Sequence, residues 1–99
     1  MRFRIRYPGL FQFFGGYFPD ADFEDITDEE VVLRYVSDCS ASEISKQELE
    51  RTIREIEDLI VNIEEYWQEV GEEANRYFKT SHDALEWLSL ISRELQKNR

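Results

Sequence analysis

The chain has 99 residues, which is enough for one hydrophobic core and predicts a single domain over residues 1–99. Its 22 acidic and 12 basic side chains give a net charge of −10, which disfavours binding to nucleic acid or anionic membranes and favours a basic partner. No apolar run approaches the ~20 residues of a membrane span, and the lone cysteine, Cys39, suits a reducing compartment, so we expect a soluble cytoplasmic protein.

The first predicted element is the aromatic stretch over residues 7–18. Its large side chains from residue 10 to residue 14 fall at i, i+3, i+4 spacing, which indicates a helix. Pro8 suits the first turn of a helix and Gly15-Gly16 suit its end, so one to two turns are expected. A strand over the first seven residues is the alternative there, because apolar and basic residues alternate.

An acidic segment follows, in which seven of residues 20–30 are acids and none is basic. Thr27 and Glu30 form a capping-box pattern that predicts a helix over residues 28–38. The acids before this helix have no capping role and are expected in a loop, beside Phe18. Together with Phe23 they are the first candidate for a partner-binding surface: Asp20, Asp22, Phe23, Glu24 and Asp25. A solvated loop is the alternative interpretation.

Residues 46–70 show the most regular helical spacing in the chain. Apolar side chains recur three or four residues apart: Leu49, Ile53, Ile56, Ile60, Ile63, Trp67 and Val70. Ser45 with Glu48 is expected to cap the start and Gly71 to end the pattern. One continuous helix would be about 38 Å long, so a break is expected within residues 61–64. The same seam fits a coiled coil, which keeps a small acidic adaptor as the alternative function.

The last part of the chain is predicted as a connector over residues 72–79 followed by one more helix. Tyr77 and Phe78 are expected to return to the core, and Thr80 with Asp83 to cap the last helix. The fold class predicted is all-α, a small irregular bundle of about four to five helices with a short extended N-terminal segment as a variant. We expect five side chains to be buried together: Phe13, Phe14, Ile56, Ile60 and Trp87.

No catalytic, metal-binding or cofactor-binding residue is predicted. The only histidine, His82, lies in the first turn of a predicted helix, where a surface or capping role is expected. The alternating acids after residue 19 lack the glycine and the distal glutamate of a calcium loop. Paired acids elsewhere are interpreted as solvated surface, and four of them are the second candidate for a partner: Glu64, Glu65, Glu72 and Glu73.

The aromatic run from Tyr7 to Phe18, then an acidic segment, helices and a closing Glu86-Trp87-Leu88, resembles the CdiI immunity proteins of contact-dependent growth inhibition systems. The resemblance spans nearly the whole chain. It implies a cytoplasmic protein that binds the C-terminal toxin domain delivered by a neighbouring cell, often a nuclease, and blocks its activity. We therefore expect a monomer or weak dimer, without enzymatic activity, that binds a basic toxin one to one.

Overall fold

The structure, a computed structural model, describes residues 2–99, and the side chains of all of these except residues 20–23. Its elements in chain order are α1 (Phe3–Arg6), α2 (Pro8–Glu24), α3 (Asp28–Cys39), α4 (Glu43–Val61), α5 (Ile63–Ala74) and α6 (Ser81–Asn98). No strand occurs over residues 2–99, so the all-α prediction is confirmed, with six helices in place of the expected four to five.

Helix α6 packs against α3, α4 and α5, and α2 packs against the same three helices. The inward face of α6 is fully buried and consists of Ala84, Leu88, Ile91 and Leu95. Trp87 of α6 bridges to α2, since its ring centroid lies 5.4 Å from that of Phe14 and 5.1 Å from that of Phe18. One buried cluster draws on all six helices. Of the five expected core residues, Phe13, Phe14 and Ile56 are fully buried, whereas Ile60 and Trp87 are partly buried.

The first residues form a helical turn, α1, so the strand alternative is wrong. Phe3 and Tyr7 are buried, whereas Ile5 between them is 63% exposed. A strand would place all three on one face, while a helix separates Ile5 from the other two. The backbone N–H of Tyr7 donates to the carbonyl of Phe3 at 2.8 Å, which closes the turn.

Helix α2 continues past Gly15-Gly16 to Glu24, with Pro19 inside it, so the expected stop is wrong. The reason is burial beyond the glycines, because Phe18 is as fully buried as Phe14. Two helical glycines cost about 2 kcal/mol relative to alanine, and an interior proline costs about 3 kcal/mol more. This local cost is offset by tertiary packing, to which the burial of Phe18 contributes about 1.5–3 kcal/mol.

Two of the predicted caps are confirmed. The Oγ1 atoms of Thr27 and Thr80 accept the backbone N–H groups of Glu30 and Asp83, each at 3.2 Å. Helix α4 instead begins at Glu43, three residues earlier than a cap at Ser45 predicts. The Oγ of Ser42 accepts the N–H of Ser45 at 3.1 Å, because Ser42 has the extended backbone that a cap requires and Ser45 is already helical.

The long apolar seam is divided as predicted, because α4 ends at Val61 and α5 begins at Ile63. Gly71 does not end the second part, since α5 runs on to Ala74. The seam is buried within the chain except for Ile60 and Trp67, which are partly buried. It is therefore used inside the molecule and is not free to form the coiled coil that an adaptor would need.

Candidate partner-binding surface

The first candidate cluster lies at the end of α2 and in the turn to α3. Three of its members have side chains outside the described set: Asp20, Asp22 and Phe23. The expected loop is wrong for most of the segment, because the helix runs to Glu24. Glu24 pairs with Arg34 of α3 at 2.8 Å. Asp25 ends the helix in the left-handed region (φ 57°), which aspartate tolerates better than most residues, and its side chain is exposed.

The second candidate cluster lies on α5, and the structure divides it. Glu65 and Glu72 are exposed on one outward face, and neither has an ion-pair partner among the described side chains. Glu64 accepts a hydrogen bond from the Ser81 hydroxyl at 2.7 Å, and Glu73 is partly buried. Glu65 and Glu72 are about 10 Å apart along the helix axis, at opposite ends of α5.

Arg76, two residues after α5, contacts the start of α3. Its Nη2 donates to Oδ1 of Asp28, in the first turn of α3, at 2.7 Å. The Nε1–H of Trp87 donates to the other oxygen of Asp28 at 2.9 Å. The guanidinium also lies 5.4 Å from the ring centroid of Phe18. The start of α3 is thus held against the segment that follows α5.

This contact joins the start of α3, which follows Asp25 by three residues, to Arg76, which follows Glu72 by four. We call the acids that precede the two bonded residues the acidic end: Glu24, Asp25, Glu72 and Glu73. Glu64 and Glu65 are excluded from it, because they lie at the start of α5.

Other glutamates that the sequence indicates only as solvated surface hold the fold. Glu55 of α4 accepts the backbone N–H groups of Gly9 and Leu10 at 3.3 and 3.0 Å, at the N-terminus of α2. Glu69 of α5 accepts the N–H of Phe3 at 3.2 Å and caps α1. A carboxylate at a helix N-terminus satisfies free N–H groups and interacts favourably with the helix dipole. These acids are structural.

Asp58 has a similar structural role beside α1. Its carboxylate accepts hydrogen bonds from the Tyr7 hydroxyl at 2.7 Å and from Arg6 at 3.1 Å. The Tyr7 hydroxyl, and then the charge of Arg6, lower the pKa of Asp58 below its usual value. Burial, followed by the bond to Asp58, raises the pKa of the Tyr7 phenol.

A groove with a volume of about 820 Å³ opens beside the acidic end. It is lined by Trp67, Gln68, Gly71 and Glu72 of α5 and by residues 75–79. The predicted bounds of the connector are wrong at its start, because α5 includes residues 72–74; from here on the connector is residues 75–80, between α5 and α6. Phe78 packs against Trp87 with 5.7 Å between ring centroids, as expected, but Tyr77 is 85% exposed, so its expected return to the core is wrong.

The side chains considered for catalysis or metal binding lie in environments that do not favour either. His82 is exposed, with its Nε2 3.1 Å from a carboxylate oxygen of Glu86, one helical turn away. Cys39 is buried, and burial raises the pKa of its thiol, which makes it a poor nucleophile. Over residues 2–99 the described side chains include no group of three potential ligands placed to hold a metal ion. None of the described helices is both long and apolar enough to cross a membrane.

Comparison with protein families gives a match over most of the chain. A family model described as CdiI immunity protein matches residues 6–95, from the end of α1 almost to the end of α6. Comparisons with curated proteins and with solved structures give no match. Because the matched region covers nearly the whole chain, this protein belongs to the CdiI immunity protein family.

Proposed function

We propose that this chain neutralises one cognate toxin domain by forming a tight one-to-one complex with it, in the cytoplasm of the cell that makes it. The observation that carries the proposal is the family match over residues 6–95, since this family neutralises toxins of contact-dependent growth inhibition. The inhibitor acts by binding and not by catalysis. It acts as a monomer or weak dimer, because its longest apolar seam is covered within the chain.

The proposed partner is a basic domain, and a nuclease is the toxin class that fits best. A net charge of −10 on 99 residues attracts a positive surface over several ångströms and raises the association rate. A nuclease must bind phosphates, so its active-site cleft is positively charged. Carboxylates of the inhibitor are suited to such a cleft because they have the same sign of charge as the substrate.

We place the contact on the acidic end together with the acids that precede it in α2. Asp25 and Glu72 support this placement, because both are exposed and have no ion-pair partner among the described side chains. The full proposed set is Asp20, Asp22, Phe23, Glu24 and Asp25, with Glu72 and Glu73 beside them. Glu64 and Glu65 form an outer part of the surface, farther along α5.

The test uses the toxin domain encoded next to this gene and measures association by stopped flow at low and high salt. Replacing the four acids of α2 and its turn by amides (Asp20→Asn, Asp22→Asn, Glu24→Gln, Asp25→Asn) should slow association about tenfold or more and flatten its salt dependence. Circular dichroism should stay that of the parent. The matched control makes the same change of charge on α4: Glu43, Glu48, Glu50 and Glu57, each to Gln.

Each outcome tests a different part of the proposal. An equal slowing by the α4 control would mean that total charge, and not the acidic end, guides the toxin. Parent-like association of the folded α2 variant at low salt would place the contact elsewhere. A parent protein that neither binds the neighbouring toxin nor protects cells from it would refute the proposed function.

A further inference from the structure

Tyr77 is the most exposed large apolar or aromatic side chain in the described part of the chain, at 85%. Its neighbours in the connector are held in place. The guanidinium of Arg76 is bonded to Asp28 at 2.7 Å, and the ring of Phe78 packs on Trp87. An exposed aromatic ring between two anchored residues contributes little to the fold that presents it.

The backbone of the connector is also fixed against α5. The N–H of Arg76 donates to the carbonyl of Gly71 at 2.9 Å, and Asn75 takes the left-handed conformation (φ 55°) that reverses the chain. A Cβ added at Gly71 would lie 2.8 Å from the backbone carbonyl oxygen of Arg76. Only glycine permits this close approach, so residue 71 determines the path of the connector. Tyr77 is therefore presented on a rigid support, which reduces the entropy lost on binding.

The groove around Tyr77 combines aromatic and acidic groups. Trp67 and Phe78 contribute apolar surface to it, and the exposed Glu72 contributes a carboxylate without an ion-pair partner among the described side chains. Of its two cations, Arg76 is paired with Asp28, while Lys79 is exposed. An aromatic ring and a carboxylate that line the same groove suit a lysine or arginine side chain, through a cation–π contact and a charged hydrogen bond.

We propose that this groove is the central contact for the toxin domain, with Tyr77 as the anchor and a lysine or arginine of the toxin held between the Tyr77 ring and Glu72. The occupant is a basic protein surface, as the charge of the whole chain and the free carboxylate of Glu72 both favour. Tyrosine at the centre of an interface is a frequent hot spot, particularly when the backbone is already ordered. This inference rests on the proposed function and specifies its contact.

The experiment compares toxin binding by Tyr77→Ala, Tyr77→Phe and the parent, using calorimetry with the isolated toxin domain. Tyr77→Ala should weaken binding about 30-fold or more, as loss of a hot-spot residue does. Tyr77→Phe keeps the ring and should remain within about threefold of the parent, since the face of the ring makes the proposed contact. Thermal midpoints should stay within about 2 °C, because the side chain is exposed.

Matched controls test the location and the sign of the charge. Ile44→Ala removes another exposed apolar side chain, 74% exposed near the start of α4, and should leave binding unchanged. Glu72→Gln should weaken binding and reduce its salt dependence, whereas Lys79→Gln should not weaken it, because a basic partner gains nothing from a lysine.

Parent-like binding by Tyr77→Ala, with a parent that neutralises the toxin, would overturn this inference and leave the proposed function standing. An equal loss for Ile44→Ala would overturn it as well. A parent that does not bind the toxin would refute the proposed function and this contact with it. Hydrogen exchange gives an independent check, because the amides of residues 76–79 should become slower in the complex if the groove is covered.

Discussion

Carboxylates in two regions of this molecule differ in whether they stabilise the fold. Around α1 and the start of α2, Glu55 and Glu69 accept backbone N–H groups of distant helices. At the acidic end, Asp25 and Glu72 are exposed and have no ion-pair partner among the described side chains. The first group is already used for stability, so only the second is free to contact another protein. The 22 acidic side chains thus include two populations with different roles.

The largest effect tests where the boundary between the two populations lies. Asp28 adjoins the acidic end, yet its carboxylate bonds both Arg76 and Trp87. Asp28→Ala should lower the free energy of unfolding by about 2–3 kcal/mol, because Arg76 and Trp87 each lose a hydrogen bond to a charged carboxylate at a partly exposed site. Urea unfolding measures it.

Glu29→Ala is the matched control for that change, since Glu29 is exposed in the same first turn of α3. It should cost less than about 1 kcal/mol, the scale of a helix-dipole contribution. Equal losses for Asp28→Ala and Glu29→Ala would mean that the Arg76 contact adds no stability, and the comparison would then fail at the acidic end.

A second pair of substitutions compares the two populations directly, with the same chemical change in each. Glu55→Ala should destabilise the protein by about 1–2 kcal/mol, because the N-terminus of α2 loses its cap. Glu72→Ala, at the acidic end, should stay within about 0.5 kcal/mol of the parent, because its side chain is exposed. Chemical denaturation of both variants at one pH is sufficient. Indistinguishable midpoints would show that the two populations do not differ energetically.

The smallest predicted effect is a change of stability at acidic pH. Because the folded-state pKa of Asp58 is lowered, the stability that this carboxylate contributes is fully present above its unfolded pKa and is lost as the pH falls through the folded value. The parent should therefore be more stable than Asp58→Asn above about pH 5, and the difference should shrink below about pH 4. Thermal melts from above about pH 5 to below about pH 4 measure the difference.

Asp25→Asn is the control, because it removes the same charge from an exposed aspartate and asparagine tolerates the left-handed backbone at this position. Its difference from the parent should change less over the same range. A constant offset between parent and Asp58→Asn at every pH would mean that the ionised carboxylate is not what Tyr7 and Arg6 stabilise.

The features that the sequence predicted correctly are those whose causes lie in short-range patterns or in the length of the chain. Thr27 and Thr80 each cap a helix through a residue only three positions away. The break between α4 and α5 follows from helix length against molecular size. The extension of α2 past Gly15-Gly16 was not predicted, because its cause is the burial of Phe18 against distant helices. Nothing in the local pattern contains that information.

The candidate surface was predicted only in part for the same reason. The sequence indicates which residues are acidic, but not that Glu55 reaches Gly9 or that Arg76 reaches Asp28. These contacts join residues more than 40 positions apart and decide which carboxylates are free. The exposure of Tyr77 depends likewise on the path of the connector, which Gly71 determines. From its aromatic side chain we expected Tyr77 in the core, whereas the structure places it on the surface.

The middle of α2 has a consequence for folding kinetics. Close packing does not require either Gly15 or Gly16, because a Cβ added at either would meet no atom of a neighbouring element within 4 Å. Pro19 lacks the N–H that would bond to the carbonyl of Gly15. Two glycines and a proline make this helix unfavourable until Phe14 and Phe18 reach Trp87. We expect α2 to form late, on a nucleus of α4, α5 and α6, so that Phe18→Ala accelerates unfolding more than it slows folding.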